Sequence, residues 1–155
     1  FLSLLSGRNP HYLIGEQVIS APIIKDLGLE PIPTGYILLD GGTVTSVEFM
    51  SGTRPIPMEK KDIVASHALA GQYLGMKSIY LEAGSGAKNH VTEEIIEFVS
   101  NFISIPIIVG GGISSPEIAS KLVKVGASIL VIGTAIEKEL DCMPDFAKAI
   151  HWKDK

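Results

Sequence analysis

One event repeats three times in the second half of this chain: a short apolar run stops at glycine. The runs are Tyr80-Leu81-Glu82-Ala83-Gly84-Ser85-Gly86, Ile107-Ile108-Val109-Gly110-Gly111-Gly112 and Leu130-Val131-Ile132-Gly133-Thr134. A helical pattern follows each of the first two, and a short amphipathic tail follows the third. Strands that alternate with helices predict a parallel sheet joined by right-handed crossovers. Glycine at a strand's carboxyl end lets backbone N–H groups approach an anion closely, because no Cβ intervenes. Three such ends in successive units read as one phosphate-gripping rim.

Strands are expected over residues 1–6, 34–39, 76–81, 106–109 and 128–132. Helices are expected around Leu13, Ile14, Val18 and Ile19, which share one side, and over 60–74. A further helix over 91–102 carries Val91, Ile95, Val99 and Phe102 on one face. The next begins at Ser114-Ser115-Pro116-Glu117, with cap candidates and proline in the first turn, and stops at Gly126. Short helices close the chain over 135–140 and 144–150. Pro22 is expected to break the first helix or to start another. Residues 43–58 read as extended structure and then loop, since Thr43, Val44, Thr45, Val47 and Phe49 favour strands.

Five strands fit either a doubly wound sheet or most of an eight-stranded barrel. Glycine-rich ends on the last two strands favour the barrel, where barrel enzymes hold substrate phosphate. Residues 1–155 then read as one domain, the C-terminal portion of a phosphate-binding TIM barrel, holding about strands 4–8 of a modified (β/α)8 fold. A full barrel takes roughly 250 residues, so about 90 residues are expected before Phe1. Phe1 itself lies inside an apolar run, without a preceding Met.

Composition narrows the function. The formal net charge is −4 and no basic stripe suits nucleic acid. An anion site must therefore be local. Cys142 is the only cysteine, so no internal disulfide forms, which suits a reducing, cytoplasmic setting. No apolar run reaches the ~20 residues of a membrane helix. His11, His67, His90 and His151 have no metal-ligand spacing.

Glu82 is the sharpest single residue. Tyr80 and Glu82 share one face of their strand, and Leu81 turns the other way. A carboxylate directed into a barrel mouth is costly unless paired or used. It serves either a lysine or arginine partner, or a substrate as ligand or proton acceptor. Tyr36, after Thr34-Gly35, either orients a hydroxyl and faces a cation or simply lines the barrel. Arg8 and Asn9 reach an anion or cap a turn. Ser85 reads as a phosphate ligand.

Together Phe1-Leu2-Ser3-Leu4-Leu5-Ser6-Gly7-Arg8-Asn9-Pro10, Ile32-Pro33-Thr34-Gly35-Tyr36, residues 80–86, Val109-Gly110-Gly111-Gly112-Ile113 and Gly133-Thr134 resemble the geranylgeranylglyceryl phosphate synthase family. The resemblance is to the branch shared by archaea and some bacteria. It covers nearly the whole chain in order. It implies a Mg²⁺-dependent prenyltransferase that joins the C3 hydroxyl of sn-glycerol 1-phosphate to a polyprenyl diphosphate, giving an ether-lipid precursor. It also implies that Tyr80, Leu81, Glu82, Ala83, Gly84, Ser85 and Gly86 line the glycerol phosphate site. Gly111, Gly112, Gly133 and Thr134 would hold its phosphate, Glu82 would accept the proton, and Tyr36 would sit by the reacting centre. The family's Mg²⁺ ligands come from its first two strands and are expected outside this chain, which is expected to be inactive alone. His90 stands where proline is common, and Ser114 where arginine is. A homo-oligomer with access to a membrane surface is implied. Two alternatives stay open: another phosphate-binding barrel enzyme, of the sugar-phosphate isomerase type, or a non-catalytic phosphate-metabolite-binding subunit.

Overall fold

The computed structural model describes residues 1–151. Its sheet holds β1 (Leu2–Leu4), β2 (Thr34–Leu38), β3 (Ser78–Glu82), β4 (Ile107–Gly110) and β5 (Ile129–Val131). Every pairing is parallel, and the strands lie side by side in chain order. A doubly wound sheet reverses its strand order at a switch point, and no such reversal occurs among the described residues. The helices are α1 (Glu16–Asp26), α2 (Ser46–Ser51), α3 (Lys61–Tyr73), α4 (Glu93–Ser100), α5 (Pro116–Lys124), α6 (Thr134–Lys138) and α7 (Met143–Ile150).

The two-residue period divides the sheet into unlike faces. Ile37, Ile79, Leu81, Ile107 and Val109 form one face and pack into the core with Val64, Ala68, Ile95, Val99 and Leu122 of the helices. The opposite face carries Tyr36, Tyr80, Glu82 and Gly110, which the strand register places side by side. Near the strand starts, that face holds Thr34 and Ser78, whose hydroxyls share a 2.8 Å hydrogen bond. Core burial of aliphatic side chains fixes the helix-covered face. The other face, which mixes these polar groups with Leu4, Leu38, Ile108 and Val131, is thereby left to line a hollow.

Local chemistry corrects several expectations. Residues 46–51 are helical, not extended. The Thr45 hydroxyl accepts from the Glu48 N–H at 3.1 Å, and Gly52 closes the turn at φ 63°. Thr45-Ser46-Val47-Glu48 has the spacing of a capping box. Capping satisfies backbone donors that strand propensity leaves open, so it prevails over a run of β-branched residues. Pro22 breaks nothing: α1 runs through it, after a five-residue π-helical turn over His11–Gly15. Proline removes the donor to the carbonyl of residue 18, and Val18 is exposed, so water can serve that group. Leu13, Ile14, Val18 and Ile19 are exposed rather than packed on the core. Phe102 lies beyond the end of α4 and stacks on Phe98 at the surface, leaving Val91, Ile95 and Val99 as the buried face.

The cap of α2 gives a direct test. Thr45→Ala should lower the stability of the chain by about 1 kcal/mol. The midpoint of urea unfolding should fall while its slope stays unchanged; an unaltered midpoint would mean that the hydroxyl does not hold this helix.

Candidate functional site

Strand β3 ends on Glu82, and the chain turns there because Gly84 adopts φ 105°. A Cβ at Gly84 would lie 2.1 Å from the Thr45 methyl. The turn brings the Gly84 N–H back to donate to Glu82 Oε1 at 2.7 Å. Glu82 is only 7% exposed, and the Tyr80 hydroxyl stands beside the same carboxylate, which raises the tyrosine's pKa. No lysine or arginine is its ion-pair partner among the described residues. The expectation of a core cation for Glu82 is thus not met, and the Gly84 N–H and the Tyr80 hydroxyl take its place.

The glycines beside it are required by space. A Cβ at Gly110 would stand 2.4 Å from the Tyr80 hydroxyl and 2.6 Å from Glu82 Oε2. At Gly111 it would stand 2.8 Å from Glu82 Oε1 and 2.5 Å from the Gly84 nitrogen. Gly111 and Gly112 also have φ of 85° and 70°, a region disfavoured for other residues.

A cavity of about 580 Å³ opens over these groups. Tyr80, Glu82, Ser85, Gly86, Gly111, Gly112, Gly133 and Thr134 line it together, although they come from three strand ends. Leu81 and Ala83 do not; both are fully buried in the helix-facing core. Their side chains are corrected to packing residues, because odd positions of β3 face the helices. Gly84 acts through its N–H on Glu82 rather than on the cavity wall. Arg8 donates to the carbonyls of Ser6 and Gly7, and Asn9 accepts from the His11 N–H at 3.0 Å. Both residues therefore cap their own turn.

Tyr36 belongs to a second hollow. Leu2, Leu4, Tyr12, Tyr36, Val47 and Met50 line an apolar groove of about 370 Å³. The Tyr12 hydroxyl spans it, donating to the Met50 carbonyl at 3.2 Å. Tyr36 and Tyr80 meet edge to face, with centroids 5.1 Å apart at 72°. A ring pair thus divides the polar cavity from the apolar groove. Burial pushes both phenols well above the ordinary tyrosine range, and the Glu82 carboxylate pushes both further.

Sequence reasoning missed Lys138, Glu139, Cys142 and Phe146, which also line the polar cavity. One signal was available: Lys138 follows Thr134 by four residues, one helical turn away.

These directions have a pH consequence. Folding holds the two phenols protonated, so their contribution to stability is complete below pH about 10, the ordinary tyrosine value. It is lost as pH rises beyond that toward the folded-state values. In a chain with Tyr12 and Tyr73 replaced by Phe, phenolate absorbance should appear only above the ordinary range. Glu82→Gln should lower both transitions yet leave them above it, since burial is the larger cause. A transition at the ordinary value in the folded chain would show that these rings are not enclosed.

Comparison with known proteins agrees with this architecture. Residues 1–150 match the PcrB family. The geranylgeranylglyceryl phosphate synthase of Chitinophaga pinensis is 51% identical over 151 residues, covering 97% of this chain and 60% of that protein. Its counterpart from Pyrococcus horikoshii is 51% identical over 138 residues, covering 89% of the chain and 54% of the relative. The chain thus spans little more than half the length of these relatives. Among solved structures, (S)-3-O-geranylgeranylglyceryl phosphate synthase from Thermoplasma acidophilum, in complex with substrate sn-glycerol-1-phosphate, superposes with a TM-score of 0.90. It is 35% identical, over 96% of this chain and 61% of that one. A family match across almost every residue, joined to relatives half identical to it, places this chain in the PcrB family, with the geranylgeranylglyceryl phosphate synthases.

Proposed function

We propose that these residues form the glycerol phosphate half of a prenyltransferase that makes an ether-lipid precursor. The observation that carries this reading is a buried carboxylate, without a cation partner, opening on the same cavity as the glycine rim. The Thermoplasma acidophilum structure, with its sn-glycerol-1-phosphate, supports the choice of substrate. Because the chain spans 60% of the length of the Chitinophaga pinensis relative, the activity proposed is that of the whole protein, and the 155 residues alone are proposed to be inactive. We read the sequential five-stranded sheet as an arc of a (β/α)8 barrel. Parallel strands in chain order, with helices on one face, support that reading.

In the proposed step the phosphate of sn-glycerol 1-phosphate rests on the backbone of Gly111, Gly112, Gly133 and Thr134, with Ser85 beside it. Glu82 faces the glycerol hydroxyls. The C3 oxygen attacks C1 of a polyprenyl diphosphate. A C–O ether bond forms, the C1–O bond to diphosphate breaks, and diphosphate leaves with the electron pair. Glu82 takes the hydroxyl proton. Tyr80, protonated at neutral pH, stands beside Glu82 as a hydrogen-bond donor. The Tyr36 ring faces positive charge as it develops on the allylic carbon. The apolar groove beside Tyr36 offers the prenyl chain a dry surface.

Mg²⁺ is the metal that the resemblance implies for the diphosphate. Among the described residues no three His, Cys, Asp or Glu side chains cluster to hold one. The resemblance places the ligands of that ion outside these residues, and the step above uses none. Action in the cytoplasm, as a homo-oligomer, belongs to the same proposal. The exposed apolar run of Val18, Ile19, Ile23 and Leu27 on and after α1 supports association. No described helix is long and apolar enough to cross a membrane.

The test uses the whole protein with sn-glycerol 1-phosphate and labelled geranylgeranyl diphosphate. A lipid-soluble product is expected. Glu82→Gln should lower kcat by about 10² to 10⁴, as loss of a general base does, with a small change in KM. Binding of glycerol phosphate without product would instead favour the binding-subunit alternative.

A further inference from the structure

The polar cavity is short of positive charge. Among the described residues its charged lining side chains are Glu82, Glu139 and Lys138. Two carboxylates against one ammonium leave the part of the wall that these residues form net negative before any ligand enters. Backbone N–H groups supply partial charges, not a full one. A ligand carrying a phosphate dianion adds further repulsion, in a chain whose formal net charge is already −4.

Lys138 is placed to answer this. It lies on α6 with Thr134, four residues apart and therefore on one helix face. Side chains of a helix lean toward its N-terminus and cover the preceding turn. Lys138 lines the same cavity as Gly133 and Thr134. Two carboxylates lie close by: Glu139 lines the same cavity, and Glu137 holds its Oε1 3.9 Å from where a Cβ on Gly133 would be. Even so, Lys138 has no ion-pair partner among the described residues. Lys148, by contrast, is 3.8 Å from Asp145 and does not line the cavity.

We propose that Lys138 supplies the counter-charge for the ligand's phosphate and so selects a phosphomonoester dianion over an uncharged polyol. The assignment rests on the phosphate-rim reading given above. The ammonium reaches in from the solvent side while the glycine backbone holds the phosphate from the strand side. Being exposed, Lys138 contributes through a screened interaction whose strength depends on salt.

The experiment titrates the full chain with inorganic phosphate and, separately, with sn-glycerol 1-phosphate, at low and high salt. At low salt Lys138→Gln should weaken phosphate binding about fivefold, the upper range for an exposed pair. Lys138→Arg should restore it, and high salt should close the gap between variant and parent. Thermal unfolding should not change, because Lys138 makes no ion pair that the fold uses. Lys148→Gln should leave binding as it was. Equal phosphate affinity in Lys138→Gln and the parent would overturn the proposal, as would a parent chain that binds no phosphate. A salt-dependent loss in Lys138→Gln, together with sn-glycerol 1-phosphate binding no tighter than inorganic phosphate, would uphold the role of Lys138 and remove the glycerol phosphate reading.

Discussion

A carboxylate is expensive to bury, by several kcal/mol unless its lone pairs are satisfied. Glu82 at the end of β3 is the group around which this face of the sheet is arranged. The Gly84 N–H donates to it, and the Tyr80 hydroxyl stands beside it. Space for it exists because positions 110 and 111 have no side chain. Take away either group and the charge is stranded; fill either glycine and the carboxylate is displaced. Chain reversal after β3, the bare end of β4 and the tyrosine beside them are thus one solution to one electrostatic problem.

Much of this was legible in the sequence. Short apolar runs followed by turn residues located all five strands within a few residues, because burial of aliphatic side chains and chain reversal at glycine are local events. Assembly of Tyr80, Glu82, Gly111, Gly112, Gly133 and Thr134 on one cavity followed from parallel topology, which brings every strand's carboxyl end to the same rim. What escaped depended on competition or on distance. The β-branched residues at 43–49 suggested a strand, yet the hydroxyl of Thr45 and the acid three residues later made a helix. Leu81 and Ala83 entered the site with the motif as a whole, although the two-residue period already turned Leu81 away from Glu82. Lys138 was missed since a lysine near the chain end looks like any solvated charge until the fold puts it on the same cavity as Thr134.

Two hollows of opposite character share one partition. The polar cavity ends at Tyr80 and the apolar groove begins at Tyr36, and the rings touch edge to face. Each phenol is buried enough to stay protonated far above neutrality, so neither adds a second negative charge beside Glu82. An aromatic wall of this kind keeps water and charge on one side while presenting ring edges and faces to the other. Its position follows from register: Tyr36 is paired with Tyr80, one strand over.

The close packing at the strand ends has a further meaning for how such a chain can change over time. A Cβ on Gly41 would sit 2.2 Å from the Ala83 carbonyl, and one on Gly112 would sit 2.8 Å from the Asn89 backbone. The Asn89 N–H also donates to the Gly41 carbonyl at 3.1 Å. Loops after β2, β3 and β4 are therefore laced to one another, main chain against main chain. Such loops cannot drift separately: an insertion or a bulkier residue in one forces its neighbours to move as well. A side chain outside the lacing, such as Ser85 or Lys138, can by contrast alter what the cavity accepts without disturbing the frame that shapes it.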